Sequence, residues 1–134
     1  MTVPLSLAAR QARLTALRDF IDTGGALLRF YTGTNPAKPE DATSETLLGT
    51  VALATPSGAI SNSGTTATYT VSVPRVNACD ASGVVGWVRF CKGDGTGALD
   101  VAVVEAPTSG SVVLSDTQVY AGGELQLISC VISE

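Results

Sequence analysis

The sequence predicts a mainly β protein, an antiparallel β-sandwich or jelly roll of seven to eight short strands with one N-terminal α-helix. Several short segments alternate apolar and polar residues, as strands with one buried face do. Turn-forming residues separate these segments about every 8–12 residues, a spacing typical of sandwiches. Only the first part of the chain has a helical pattern. The 134 residues suit a single domain, 1–134, with the helix at 6–22 and the sandwich at 26–134.

The N-terminal helix is predicted over residues 6–22, where good helix formers run without an internal Gly or Pro. Ser6 is the expected cap, because its hydroxyl can accept a hydrogen bond from a free amide of the first turn. Gly24 and Gly25 should end the helix, since glycine adopts the left-handed conformation that follows many helices. The apolar stripe expected to face the core comprises Leu7, Leu14, Leu17 and Ile21.

Three arginines accompany the apolar stripe of the helix. Arg10 lies within the stripe, while Arg13 and Arg18 flank it. The stripe can pack against the sheet with the arginine stems along its edge, or it can dock on another protein. We favour packing within the chain, because a helix of this length is only marginally stable without a surface to cover.

The strands follow from period-two patterns bounded by turn residues. Residues 65–73 alternate most clearly, with Ala67, Tyr69, Val71 and Val73 expected to face inward. Both faces of 125–132 are apolar, so this strand should be central, between the second sheet and the helix. The polar segment 33–45 holds two prolines and is expected to be an exposed, mobile loop. The other strands are expected at 27–32, 47–54, 59–62, 112–114 and in the two arms of a hairpin at 84–104, with a turn at 115–118.

The hairpin at 84–104 carries the only Trp of the chain. Alternation puts Trp87 and Arg89 on one face, where the guanidinium can lie over the indole ring. This pair is expected to face outward and to act as an interface hot spot. The alternative, in which the N-terminal helix covers Trp87, stays open. Asp94 and Gly95 supply the reversal between the two arms.

The side chains that most catalytic centres need are missing. The chain has no His, which excludes Ser-His-Asp and Cys-His nucleophiles and histidine-based zinc sites. Cys79, Cys91 and Cys130 lack CxxC spacing and are expected to be reduced, buried thiols. Without close cysteine pairs, a zinc site built from these three residues is disfavoured.

Acidic and glycine-rich segments offer little more. Residues 93–100 superficially resemble a calcium loop, but the closing glutamate is missing and a solvated hairpin turn is favoured. Four acids could be paired as in glycoside hydrolases, although surface acids are ordinary in an acidic protein. They are Asp80, Asp94, Asp100 and Glu105. No glycine-rich segment leads into a helix, as phosphate binding requires. We therefore predict no enzyme activity, no catalytic residue, no cofactor and no metal.

Charge and hydropathy narrow the choice of partners. The formal net charge is −4, and only 15% of the residues are charged against 45% that are apolar. Nucleic-acid binding is disfavoured, because neutralising phosphates needs clustered Lys and Arg. A membrane partner is also not expected, since no apolar run approaches the roughly 20 residues that cross a bilayer. The first residues lack the features of a signal peptide, so we expect synthesis in the cytoplasm.

Four segments, taken in order, carry a family resemblance that covers most of the chain. They read LAARQARLTALRDFIDTGG, LLRFYTGTNPAKPEDATSETLLGTVAL, DASGVVGWVRFCKGDGTGALD and VYAGGELQLISCVI. The chain resembles a recurrent type of small protein encoded among the virion genes of tailed bacteriophages and prophages. It is most similar to the capsid cement, or decoration, proteins, small β-sandwiches that clamp major capsid subunits together from outside the head.

The resemblance implies a non-enzymatic structural protein on the capsid surface of the virion. Its partner would be the major capsid protein, and the chain would form a homo-oligomer such as a trimer. Two alternatives stay open, a phage tail or head–tail connector component and a carbohydrate-binding or adhesin-type sandwich module. The residues expected to contact a partner are Arg10, Arg13, Arg18, Asn35, Lys38, Glu40, Trp87 and Arg89.

Overall fold

The architecture is that of a computed structural model, which describes residues 5–64, 66–71, 79–106 and 110–133. One helix, α1, spans Leu7–Asp22. The strands are β1 Leu27–Thr32, β2 Leu47–Ala52, β3 Gly58–Ser63, β4 Thr66–Val71, β5 Gly83–Cys91, β6 Gly97–Glu105, β7 Val112–Leu114, β8 Gln118–Val119 and β9 Leu127–Ser133. Val73, expected at the end of β4, lies outside the described residues.

The strands form one curled sheet in the order β2-β1-β5-β6-β7-β9-β4-β3, and β8 pairs with the start of β5. The prediction of a mainly β, sandwich-like protein with one N-terminal helix is confirmed. The expectation of antiparallel pairing is wrong at one strand pair, because β6 and β7 run parallel. The three residues of β7 are all buried and lie between β6 and β9, and so short a strand has no sequence signal for its direction.

The core lies on the inner face of the curled sheet. Leu28 and Phe30 of β1 and Phe90 of β5 belong to the same buried cluster as Tyr69 of β4. Strands from both ends of the sheet order thus contribute to one core, which means that the sheet curls around it. The inward positions predicted for Ala67, Tyr69 and Val71 are confirmed.

Helix α1 covers the core beside β4 and β3. Leu14 and Ile21 are buried, while Leu7 and Leu17 are half-buried against the core. Packing of the stripe within the chain, the favoured interpretation, is therefore confirmed. The helix begins where predicted, because Ser6 Oγ accepts a hydrogen bond from the Ala9 amide at 3.1 Å.

The end of the helix is attached to the β5–β6 turn. Gly24 and Gly25 have φ of 76° and 94°, the left-handed conformation expected of them. The Gly93 amide donates to the Thr23 carbonyl at 3.0 Å. This contact fixes the start of β1 beside the hairpin with which β1 pairs.

The closing strand β9 is central in the sheet as predicted, between β7 and β4. The helix, however, packs on β4 and β3, one strand further along. One position of β9 departs from the expectation of two apolar, covered faces, since Ile128 is 55% exposed. The turn expected at 115–118 is also partly wrong, because Gln118 begins β8 and pairs with Val84.

Candidate functional site

The most elaborate side-chain arrangement lies on the outer face of β1, β5 and β6, opposite the core. Alternation turns Tyr31, Trp87, Arg89 and Asp100 to this face, and we call these four residues the outer-face cluster. Strand register brings them together, since Tyr31 pairs with Trp87 and Arg89 pairs with Asp100. Directly opposed residues of antiparallel strands are near neighbours, so the cluster follows from the pairing of three strands.

Arg89 and Asp100 form a bidentate ion pair. Arg89 Nε donates to Asp100 Oδ1 at 2.7 Å, and Nη2 donates to Oδ2 at 3.0 Å. The hydrogen bonds that Arg89 donates to Asp100 raise the pKa of Arg89 further, against the lowering effect of burial. The remaining nitrogen, Nη1, donates to the Asp41 carbonyl at 2.9 Å. The side chains are only 10% and 3% exposed, so this ion pair is buried and is part of the folded structure.

Trp87 lies between Tyr31 and Arg89. Its ring stacks on Tyr31 with a centroid separation of 4.6 Å and an interplanar angle of 14°. The Arg89 guanidinium carbon lies 5.2 Å from the ring centroid, which confirms the expected cation–π contact. Trp87 Nε1 donates to the Thr32 carbonyl at 3.0 Å. The N–H of the indole, its one polar group, is therefore hydrogen-bonded within the chain.

Trp87 and Arg89 share a face that points away from the core, but the expectation that this face is exposed is wrong. Trp87 is 1% exposed and Arg89 is 8% exposed, so neither side chain presents a free surface. The alternative cover, the N-terminal helix, is wrong as well, because that helix packs on β3 and β4. The cover is the segment 33–46, which we call the covering loop.

The covering loop lies close to the sheet at two glycines of the sheet, and a third glycine begins the loop. Gly33 has φ of 74°, and a Cβ there would overlap the Glu45 carboxylate. A Cβ on Gly86 would overlap the Gly33 carbonyl, and one on Gly97 would overlap the Pro39 carbonyl. Thr32 Oγ1 also donates to Glu45 Oε2 at 3.1 Å. The base of the loop is thus held by backbone approach and by side-chain hydrogen bonds.

The tip of the covering loop is open to solvent. Asn35, Lys38 and Glu40 are all exposed, as predicted for this segment. They remain candidates for contact with a partner. The structure places them on the side of the sheet that carries the outer-face cluster.

The helix arginines form a separate surface beside β3 and β4. Arg13 is exposed, whereas Arg10 and Arg18 are half-buried. Arg18 Nη1 donates to the Gly58 carbonyl at 3.4 Å, so part of its hydrogen-bonding capacity serves the fold. The eight predicted contact residues therefore divide into an exposed loop, a helix surface and a buried pair.

A second polar cluster joins the end of α1 to β4 and was not foreseen from the sequence. Asp22 Oδ2 accepts a hydrogen bond from the Ser57 amide at 3.1 Å, and the Ser57 and Tyr69 hydroxyls are hydrogen-bonded to each other. Burial is the main reason that the pKa of Tyr69 is raised. Ser57 directly follows Pro56 and precedes β3, and no sequence pattern distinguishes it from other serines of connecting segments.

The three cysteines are free and buried, as predicted. Burial raises the pKa of Cys79 and Cys91, and it raises the pKa of Cys130 to about 12. All three are therefore thiols at neutral pH, the form that is poorly nucleophilic and a weak metal ligand. Across 5–64, 66–71, 79–106 and 110–133, no three potential metal-binding side chains come together.

Two of the four acids considered for catalysis, Asp94 and Asp100, have structural roles. Asp100 is committed to Arg89, and Asp94 Oδ1 accepts a hydrogen bond from the Thr96 amide at 2.9 Å. Hydrogen bonds from the Thr96 side chain and from its amide lower the pKa of Asp94, and the amide contact is typical of a turn. The hairpin turn that was favoured over a calcium loop is confirmed as a turn between β5 and β6. Within the described residues, no helix has the length and apolar character needed to cross a bilayer.

Comparison with known proteins adds no family to this geometry. No protein-family model, curated protein or solved structure matches the chain. The function must therefore be argued from the arrangement of its own residues.

Proposed function

We propose that this chain is a non-enzymatic structural protein of a phage virion, a capsid cement protein that binds the major capsid shell from outside. The observation that supports this most directly is the covering loop. Its base is held against a buried ion pair and a buried Trp, while its tip exposes Asn35, Lys38 and Glu40. A contact element of this kind is ordered before it meets its partner.

Such preorganisation suits a protein whose task is to add stability to an assembly. A loop that is already fixed loses little conformational entropy on binding, so more of the contact energy appears as affinity. A protein that binds only the assembled shell stabilises that shell by mass action. Many copies around a head multiply the effect, even when each contact is weak.

The alternatives make different use of the same surface. A sugar-binding module needs exposed aromatic rings, and the ring that we expected to fill this role, Trp87, is buried. Tyr120, 65% exposed, is the most exposed large hydrophobic side chain of the described chain and would have to replace it. A tail or head–tail connector component would use the loop to contact a tube or ring instead of a shell, and remains the runner-up proposal.

The proposal is tested by co-sedimentation of the purified protein with empty heads, and with tails, from the phage that encodes it. We expect the protein to pellet with heads and to raise their melting temperature. Glu40→Lys should weaken binding, while Asp19→Lys, the same charge reversal on the exposed side of the helix, should not. Failure of the wild-type protein to pellet with any head form would refute the proposal, and pelleting with tails alone would establish the runner-up.

A further inference from the structure

Arg29, in the middle of β1, is a cation with which none of the described residues forms an ion pair. It lies on the same outer face as the outer-face cluster, with Thr50 opposite it on β2 and Arg89 opposite it on β5. Two arginines directly opposed on neighbouring strands repel each other, an arrangement that destabilises a sheet unless anions compensate it. The two arginines are compensated very differently.

Arg89 has its full set of partners, whereas Arg29 does not. Both carboxylate oxygens of Asp100 and the Asp41 carbonyl are taken up by Arg89. The Nε of Arg29 is buried, and none of the described residues accepts a hydrogen bond from it. Neither of the ion pairs described among these residues, Arg18–Asp19 and Arg89–Asp100, includes it. A buried donor without an acceptor costs free energy, which an incoming anion could recover.

Part of the Arg29 side chain is open to solvent, and none of the described residues forms an ion pair with it. The β5–β6 turn passes over the side chain, where a Cβ on Gly95 would lie 3.3 Å from Nη2. The carboxylate nearest in that turn, on Asp94, is engaged by the Thr96 amide. The Arg29 side chain is only half-buried, so a group from solvent can reach it.

We propose that Arg29 anchors a binding site for a carboxylate, on the outer face of β1 beside the β5–β6 turn. Three cations, Arg29, Arg89 and Lys92, lie in this region with two carboxylates, those of Asp94 and Asp100. Their charges sum to a single positive charge, which a carboxylate neutralises. A phosphate dianion would leave an excess negative charge in a protein that is already acidic. Guanidinium and carboxylate also match as planar, two-pronged partners.

The carboxylate comes from an Asp or Glu side chain of the protein on which this chain docks. The site lies on the same side of the sheet as the covering loop, so one partner surface can contact both. This choice of source rests on the proposed function, whereas the existence of the site does not. Two experiments therefore separate the two statements.

The first experiment detects the site with acetate as the probe. In NMR titrations at constant ionic strength, acetate replacing chloride should shift the Arg29 Nε–H and the Gly95 amide saturably. Arg29→Met should weaken acetate binding at least about tenfold, as expected for a lost charge-assisted hydrogen bond. Arg13→Met, which removes an exposed arginine on the helix, should leave the titration unchanged.

Arg29→Met should also fold with unchanged Trp87 fluorescence and no loss of thermal stability, because it removes a charge that has no partner. Absence of any saturable shift in the wild-type protein would overturn the site, as would an equal response in Arg29→Met. Stronger binding of inorganic phosphate than of acetate would overturn the assignment of the ligand.

The second experiment tests the source of the carboxylate with phage heads. Wild-type protein should pellet with heads, Arg29→Met should bind at least about tenfold more weakly, and acetate should compete with the wild type. If Arg29→Met binds heads as well as the wild type does, a carboxylate of the shell is not the ligand and the proposed function still stands. If the wild type does not bind heads, the proposed function fails while the acetate titration still decides the site.

Discussion

At the scale of single residues, the Arg89–Asp100 pair shows how burial changes the value of an ion pair. Removing one partner of a buried pair leaves a charge without solvent or counter-ion, which is far more costly than breaking a pair at the surface. The chain contains both kinds. Arg89 and Asp100 are 10% and 3% exposed, whereas Arg18 and Asp19 are 22% and 65% exposed.

Asp100→Asn should therefore destabilise the protein by about 3–5 kcal/mol, since it leaves the buried Arg89 charge without its counter-charge. Asp19→Asn is the matched control and should cost about 0–1 kcal/mol. Both values are measured as changes in the free energy of unfolding by urea titration at neutral pH. A loss of less than about 1 kcal/mol in Asp100→Asn would show that solvent reaches the pair.

The pairing of Arg89 with Asp100 could have been predicted from the sequence, although we did not predict it. A two-residue reversal at Asp94 and Gly95 sets Arg89 opposite Asp100, and opposite charges at such positions attract. The structure has this register, with a bulge only between Phe90 and Cys91. The lack of a partner for Arg29 could not be foreseen, because it depends on which strands flank β1 and on where the turn lies.

At the scale of elements, the covering loop can approach the sheet closely because glycines of the sheet have no side chain in its way. Gly86 lies inside a strand, where glycine costs stability and commonly marks close approach of another backbone. Alternation of the hairpin predicted that Trp87 and Arg89 share a face, but it did not reveal the cover over them. The position of Gly86 inside a predicted strand was the sequence feature that could have suggested this cover.

Gly86→Ala should lift the covering loop, because the added Cβ would overlap the Gly33 carbonyl. Overpacking of this kind costs about 1–3 kcal/mol, and it should expose Trp87 to water. The single Trp should then emit at longer wavelength and be quenched more by acrylamide. Gly122→Ala is the control: it strains a residue with φ of 79° that has open space around it, so stability should fall while Trp87 emission stays unchanged.

The helix and most strands were predictable for a simple reason. Ser6, Gly24 and Gly25 mark the helix ends by local chemistry, and the alternation of 65–73 requires one buried face. The parallel pairing of β6 with β7 was not predictable, since strand direction is decided by long-range packing. Local rules thus located the elements, and tertiary contacts decided their partners.

At the scale of the whole molecule, the buried thiols make stability depend on pH in one direction. Burial raises the pKa of Cys130 from 9.0 to about 12. The unfolded chain releases this proton near pH 9, whereas the folded chain holds it until about pH 12. The contribution is therefore complete below pH 9 and is lost as pH rises toward 12. The raised pKa values of Cys79, Cys91 and Tyr69 act in the same sense.

The free energy of unfolding should accordingly fall above pH 9, by up to about 1.4 kcal/mol per pH unit for the Cys130 proton alone. Cys130→Ala should show a slope that is shallower by nearly this amount, although its stability at pH 7 is lower. Urea unfolding at several pH values on either side of pH 9 measures both slopes. Parallel slopes for the two proteins would mean that Cys130 does not titrate differently in the folded and unfolded states.

The pairing of β1 with β5 also has a consequence for the newly made chain. Leu28 and Phe30 are buried residues of β1, and one edge of β1 pairs with β5. The strand β5 leaves the ribosome long after these two residues do. Until β5 and its turn have been synthesised, the N-terminal segment has apolar residues but lacks the strand that covers them. Folding is therefore delayed until this hairpin has been synthesised, and nascent chains that end before the hairpin should be the ones that chaperones bind.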